Sequence, residues 1–298
     1  MAASLRAAFS SRKPHAAFVA YLTCGFPDAS VTVPALLALQ AGGADVLELG
    51  VPFSDPMADG GTIQCVRRLL SLLPADRCAA PRLRARPTSP LPAAARLPHL
   101  RRRASEVALS GGATLAGCLA AVRAARAAGL TVPVVLMGYY NPALAYGEAR
   151  LVADAAAAGV SGFILVDLPP EECASFLALC DGAGLAYIPL VAPTTADDRL
   201  RALAKVARGF VYCVSVTGVT GARAALDDDL APFVARVRKH IPDVPLAVGF
   251  GISTPEHVAA VGKLADGVVM GSAIIAKLEA GGVQALTPFL QTLLAHRG

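Results

Sequence analysis

The chain has 298 residues, 55% of them apolar, 16% charged and none of them tryptophan, a composition that excludes disorder and fits a large buried core. Its formal charge of +5 invites a nucleic-acid reading, but nine of the 27 basic residues lie between Cys65 and Arg102 against one acid, Asp76. Outside that window 18 basic residues face 21 acidic ones, a net of −3, so nucleic acid is not the expected partner.

From the N-terminus, Met1 to His15 lacks acids and carries Ser and Arg, which is weakly transit-peptide-like; a short amphipathic helix packing under the fold explains Leu5, Ala8 and Phe9 equally well. Short aliphatic or β-branched runs then recur at Phe18–Leu22, Val46–Leu49, Val132–Leu136, Phe163–Val166, Ala186–Leu190, Phe210–Val214, Leu246–Val248 and Gly267–Met270. Helix-like stretches separate them, among them Leu115–Ala128, Ala149–Ala158, Glu171–Ala183, Ala196–Ala207, Leu226–His240 and Thr254–Val261. The longest uncharged run, Ala127 to Gly147, spans 21 residues, but Pro133 and Tyr139-Tyr140-Asn141-Pro142 interrupt it, so it reads as a buried strand plus a loop rather than a membrane span. Seven cysteines, odd in number and without metal-ligand spacing, argue against a disulfide framework and a zinc site and favour a reducing compartment; Cys24 and Cys213 read as small core residues.

Strand and helix alternating eight times predict an α/β fold, a single (β/α)₈ barrel over 1–298. A doubly wound open sheet alternates similarly, and the barrel reading rests on the number of units and on where polar residues fall. Glu48, Tyr139, Asp167, Thr194, Ser215 and Gly249 all sit at or just after the C-terminal end of an expected strand, the face on which barrel enzymes build their sites.

One segment breaks the alternation. Cys65 to Arg102 holds six prolines and nine arginines in 38 residues, and the prolines argue against a helix or an interior strand. It is expected to be a disordered, solvated insertion rather than a basic functional arm, of the kind that in-frame translated intron sequence would leave.

Two groups of residues carry chemistry. Glu48 ends an apolar strand and Asp59 follows eleven positions later, past a Pro/Gly-broken loop, which is how two carboxylates reach one mouth. Each has a plain alternative, as a surface acid or, for Asp59, a helix cap near Thr62. Glu48 is the odder, because an unpaired carboxylate in an apolar strand is costly and its burial raises the pKa toward that of a proton shuttle. The second group is glycine-rich: Gly218-Val219-Thr220-Gly221, Gly249-Phe250-Gly251-Ile252-Ser253 and Gly271-Ser272-Ala273 follow the sixth, seventh and eighth expected strands. Glycines there let main-chain N–H groups approach a phosphate, and a helix opening at Ser272 adds its N-terminal dipole, although glycine also ends strands for ordinary turn reasons. Tyr21 and Tyr212 serve either as core aromatics or as inward-facing hydroxyls.

Glu48-Leu49-Gly50-Val51-Pro52-Phe53-Ser54-Asp55-Pro56, Leu136-Met137-Gly138-Tyr139-Tyr140-Asn141-Pro142, Asp167-Leu168-Pro169-Pro170-Glu171-Glu172 and the first two glycine loops together resemble the tryptophan synthase α chain family, in the style of fungal and algal sequences. The resemblance spans nearly all of the chain except Cys65–Arg102, and excising those 38 residues leaves 260, an ordinary length for that family. It implies a lyase that performs retro-aldol cleavage of indole-3-glycerol phosphate in tryptophan biosynthesis, with no metal or organic cofactor. It also implies roles. Asp59 holds the indole N–H, Glu48 protonates indole C3 and then accepts the 3′-hydroxyl proton, and Tyr21, Leu136 and Tyr212 line the indole pocket. Gly221, Phe250, Gly251, Gly271 and Ser272 cradle the phosphate, and Thr220 belongs to a mobile loop that orders over the site with Asp55. Gly61 stands where the family usually has proline, so the loop after Asp59 loses a rigid φ. The implied partner is a pyridoxal-phosphate β chain in an α2β2-type assembly, faced by the loop from Pro52 to Asp59; no membrane is involved. No β domain follows Gly298, which leaves open a separate β subunit or a free-standing, indole-releasing lyase; a non-catalytic α-like subunit that activates a β chain is the contrasting reading. The expected compartment is the cytoplasm, with the plastid stroma as the alternative.

Overall fold

The computed structural model describes residues 2–11, 15–54, 93–215, 229–249 and 251–295. Among the described residues nine strands lie in one all-parallel sheet ordered β5-β4-β3-β2-β1-β9-β8-β7-β6. They are β1 (Ala17–Thr23), β2 (Val46–Gly50), β3 (Val134–Gly138), β4 (Gly162–Leu165), β5 (Ala186–Tyr187), β6 (Leu190–Val191), β7 (Val211–Val214), β8 (Leu246–Gly249) and β9 (Gly267–Met270). β5 and β6 are halves of the single strand expected at Ala186–Leu190. Tyr187 pairs with Phe163 of β4, Leu190 pairs with Tyr212 of β7, and the short gap between them contains Pro189, which has no N–H to give the ladder. Ile188 N–H still donates to the Phe163 carbonyl and Tyr212 N–H to the Pro189 carbonyl, both at 2.9 Å, so the sheet closes through this one segment. Pro133 acts likewise at β3, whose ladder begins at Val134 rather than at the expected Val132.

Because side chains alternate along a strand, each strand sends one set inward and one outward. The inward set, including Val19, Val46, Val135, Ile164, Ile188, Phe210, Tyr212, Ala247 and Val269, fills the barrel and is joined by Leu5 and Phe9 of the N-terminal helix Ala2–Ser10. Leu5 and Phe9 are 0% and 2% exposed, and the Phe9 ring lies 5.1 Å from that of Phe210, so the helix plugs the barrel floor as the amphipathic reading expects. The outward set packs against the helices, and Cys24, Cys118, Cys173, Cys180 and Cys213 are buried free thiols.

Two expectations need correction. A helix runs from Ala93 to Ser110 and includes Pro98, so the last ten residues of the segment read as an irregular insertion, 93–102, are helical. From position 100 on, Leu100, Ala104, Val107 and Ala108 recur at helical spacing and face the core, and that burial outweighs the one backbone bond a proline removes. Residues 55–92, which hold the rest of the insertion, lie outside the described residues. The loop expected after β3 is instead a helix, Tyr140–Tyr146. Pro142 falls in its first turn, where a missing N–H costs nothing. Among the described residues no single helix is long and apolar enough to cross a membrane.

Candidate active site

Following the inward set one step toward the C-terminal ends of the strands leads from Val19 to Tyr21, Val46 to Glu48, Val135 to Met137, Ala247 to Gly249 and Val269 to Gly271. These residues, with Tyr212 from β7, form the upper layer of the barrel. Tyr21 and Glu48 are register partners on neighbouring strands. A methyl group at Gly50 would collide with the Tyr21 phenol, and one at Gly249 would collide with that of Tyr212. Glycine at both strand ends therefore makes the room in which the two phenols lie across the barrel mouth. The Tyr21 hydroxyl rests 3.2 Å from Thr23 Oγ1.

Glu48 is 0% exposed, and neither carboxylate oxygen has a hydrogen-bond partner among the described residues. Burial penalises its charged form and raises its pKa to about 7, against the opposing pull of the Arg101 charge. It is thus poised between acid and base at neutral pH, as a proton shuttle requires. Tyr212 is also 0% exposed; burial first, and the Glu48 charge second, push its phenol well above the usual range, so it stays neutral.

Arg101, from the Ala93–Ser110 helix, completes the layer. Its guanidinium carbon stands 4.1 Å from the centroid of the Tyr21 ring, its Nε is closed off from solvent, and its other flank fills the space beside Gly271. Burial disfavours its charge, but the Glu48 carboxylate and a hydrogen bond with Tyr212 offset this, so it remains a cation. The sequence reading missed it, because one arginine among nine in a Pro/Arg-rich stretch carries no local signal.

Of the glycine-loop residues expected to cradle a phosphate, Gly251, Gly271 and Ser272 are described. Gly271 is the N-cap of the helix Ser272–Gly281, whose first-turn N–H groups have no intrahelical acceptor. Gly251 has φ +75°, a left-handed conformation that disfavours any side chain. Ser215 N–H and Oγ both donate to the Gly249 carbonyl, at 3.2 and 3.0 Å, tying the ends of β7 and β8 together. On the opposite rim Phe53 stacks on Tyr139 at 4.8 Å and Tyr140 N–H donates to Asp167 Oδ1 at 2.7 Å, so the loops after β2, β3 and β4 are joined.

Leu136 is not in the mouth. It belongs to the outward set and lines a small cavity with Leu115, Phe163 and Leu165, while its neighbour Met137 packs against the barrel interior. The period of two decides this: Glu48 pairs in register with Val135, an inward residue, so Leu136 must face out. Asp59, the second expected catalytic acid, and Asp55, Thr220, Gly221 and Phe250 lie outside the described residues.

Comparisons with known proteins show the family. A sequence model of the family described as "Tryptophan synthase alpha chain" matches residues 8–71 and 98–292. The chain is 46% identical over 270 residues to the tryptophan synthase alpha chain of Geobacter sulfurreducens, covering 91% of this chain and 86% of that one. It is 44% identical over 277 residues to the tryptophan synthase of Saccharomyces cerevisiae, covering 92% of this chain but only 34% of the longer yeast protein. Among solved structures, a tryptophan synthase chain from Mycobacterium tuberculosis superposes with a TM-score of 0.77 at 36% identity, covering 98% of this chain and 96% of that one. An alpha chain from Legionella pneumophila superposes with a TM-score of 0.76 at 30% identity, covering 97% and 95%. The unmatched interval, 72–97, is narrower than the insertion read from the sequence and leaves Arg101 inside the matched part.

Proposed function

Because the chain belongs to the tryptophan synthase alpha chain family, we propose that its barrel mouth is where indole-3-glycerol phosphate is cleaved to indole and glyceraldehyde 3-phosphate, the carbon–carbon lyase step of tryptophan biosynthesis. The observation that carries this reading is Glu48, a carboxyl wholly buried in an apolar strand, turned into the barrel and held near neutral pKa.

The chemistry is redox-neutral and runs on proton transfers. Indole is a poor leaving group until C3 is protonated. Neutral Glu48 delivers that proton, and the positive charge that develops on the ring nitrogen is stabilised by Asp59 acting on the N–H. Glu48, now a carboxylate, takes the proton of the 3′-hydroxyl. The C3–C3′ bond breaks with its electron pair returning to the indole ring, the former hydroxyl carbon becomes the aldehyde, and Glu48 is neutral again. Tyr21 and Tyr212 wall the aromatic part of the substrate, and Met137 takes the place first given to Leu136. The phosphate rests on Gly251, Gly271 and Ser272, with Gly221 and Phe250 completing the cradle, and Thr220 orders over the site with Asp55. Membership of the family supports docking to a separate pyridoxal-phosphate β chain that consumes the indole, through the loop from Pro52 to Asp59. Release of glyceraldehyde 3-phosphate from indole-3-glycerol phosphate, assayed with and without added β chain, tests the reading.

A further inference from the structure

The Ala93–Ser110 helix lays Ala104 and Ala108 into the layer beneath it, and Arg103 pairs with Glu279 of the Ser272–Gly281 helix at 2.8 Å. With the segment anchored there, Arg101 reaches over the strand ends and is partly buried. Its guanidinium lies between the Tyr21 ring, 4.1 Å from its centroid, and Gly271, where an added methyl group would stand 2.7 Å from Cζ. Taking a guanidinium out of water costs free energy that an apolar side chain would not incur, and Glu48 and Tyr212 recover part of it.

Its surroundings point to an anion. The N-terminal end of the Ser272–Gly281 helix is electropositive and meets the guanidinium at Gly271. Two positive features side by side repel each other, and an anion placed against both is attracted by both. A phosphate has oxygens enough to accept from the main-chain N–H groups of the helix start and, with another pair, from the planar fork of an arginine. Uncharged indole gains nothing comparable.

We propose that Arg101 binds the substrate's phosphate and makes the barrel selective for phosphorylated ligands. This rests on the phosphate cradle assigned above and adds to it a side chain that the glycine loops alone do not supply.

Calorimetric titration of the full chain with sn-glycerol 3-phosphate and, separately, with indole tests it, using the unaltered protein, Arg101→Ala, Arg101→Gln and Arg101→Lys, each checked for folding by thermal melting. Both neutral variants are expected to weaken glycerol 3-phosphate about tenfold or more while indole affinity is kept or improved, and Arg101→Lys to retain part of the phosphate affinity. A folded Arg101→Ala or Arg101→Gln protein that binds glycerol 3-phosphate as well as or better than the unaltered chain would overturn the inference. Parallel losses for both ligands would overturn it in favour of a structural role. Failure of the unaltered chain to bind glycerol 3-phosphate would instead remove the phosphate cradle itself, and the inference with it.

Discussion

Tyr21 and Glu48 face each other in register across β1 and β2, the phenol lying over Gly50 and the carboxyl having no hydrogen-bond partner among the described residues. That arrangement costs stability in a definite pH window. In the unfolded chain Glu48 ionises near its ordinary value of 4.5, whereas in the folded barrel it holds its proton to about 7. Between those values the folded state binds more protons than the unfolded one, so stability falls as pH rises from 4.5 and levels off above 7. The loss approaches about 3 kcal/mol. Glu48→Gln, which cannot ionise, is expected to remove most of this fall, so denaturant melts at pH 5 and pH 8 will show the variant gaining on the unaltered protein at the higher pH. Parallel curves would mean that Glu48 is not buried as a neutral acid.

Much of the fold is legible in the sequence because alternation of short aliphatic runs with Ala-rich helices is what a parallel barrel demands, and Glu48 is legible because a carboxylate in such a run is costly without a purpose. What is not legible turns on proline and on register. Pro98 masks a helix whose stability comes from packing Ala104 and Ala108 against a partner distant in sequence, and Pro189 splits a strand without ending it. Leu136 and Met137 look alike as apolar neighbours, and only pairing with β2 decides which of them faces the barrel. Arg101 acquires its place solely through the tertiary fold.

The phosphate cradle makes a prediction of its own. Gly271→Val would drive a branched side chain into the Arg101 guanidinium, and Gly251→Val would force φ +75° on a β-branched residue. Each is expected to weaken glycerol 3-phosphate by about tenfold or more, and to weaken it more than indole, because only the phosphate needs close approach to the main chain. Direct titration reads the difference; equal losses for both ligands would indicate general disruption.

The barrel floor gives a stability prediction separate from the chemistry. Phe9 is buried against Phe210 and occupies space that glycine at position 267 leaves open. Phe9→Ala is expected to destabilise the chain by roughly 3–5 kcal/mol, read as a shift of the urea midpoint at an unchanged slope. A shift below about 1 kcal/mol would show that the N-terminal helix does not plug the floor.

For the insertion, the family match and the helix together move the proposed cut. Excising 72–97 removes the unmatched interval and keeps Leu100 and Arg101, whereas excising 65–102 removes both. The shorter deletion is expected to keep the melting temperature and to match or improve lyase activity, since closing a shorter loop costs less entropy. The longer one is expected to lose affinity for glycerol 3-phosphate. Side-by-side melts and titrations of the two deletions decide; loss of activity in a folded 72–97 deletion would show that the interval has a role in the site.

The central claim is that Glu48 moves the protons of a retro-aldol cleavage, and the most direct measurement is single-turnover release of glyceraldehyde 3-phosphate from indole-3-glycerol phosphate by the full chain and by its Glu48→Gln variant, with and without β chain. The account predicts release by the unaltered protein and a fall of about 10²–10⁴-fold in the variant, with glycerol 3-phosphate binding preserved. A folded, phosphate-binding chain that releases no glyceraldehyde 3-phosphate under any of these conditions, or a Glu48→Gln variant that cleaves as fast as the unaltered protein, would contradict it.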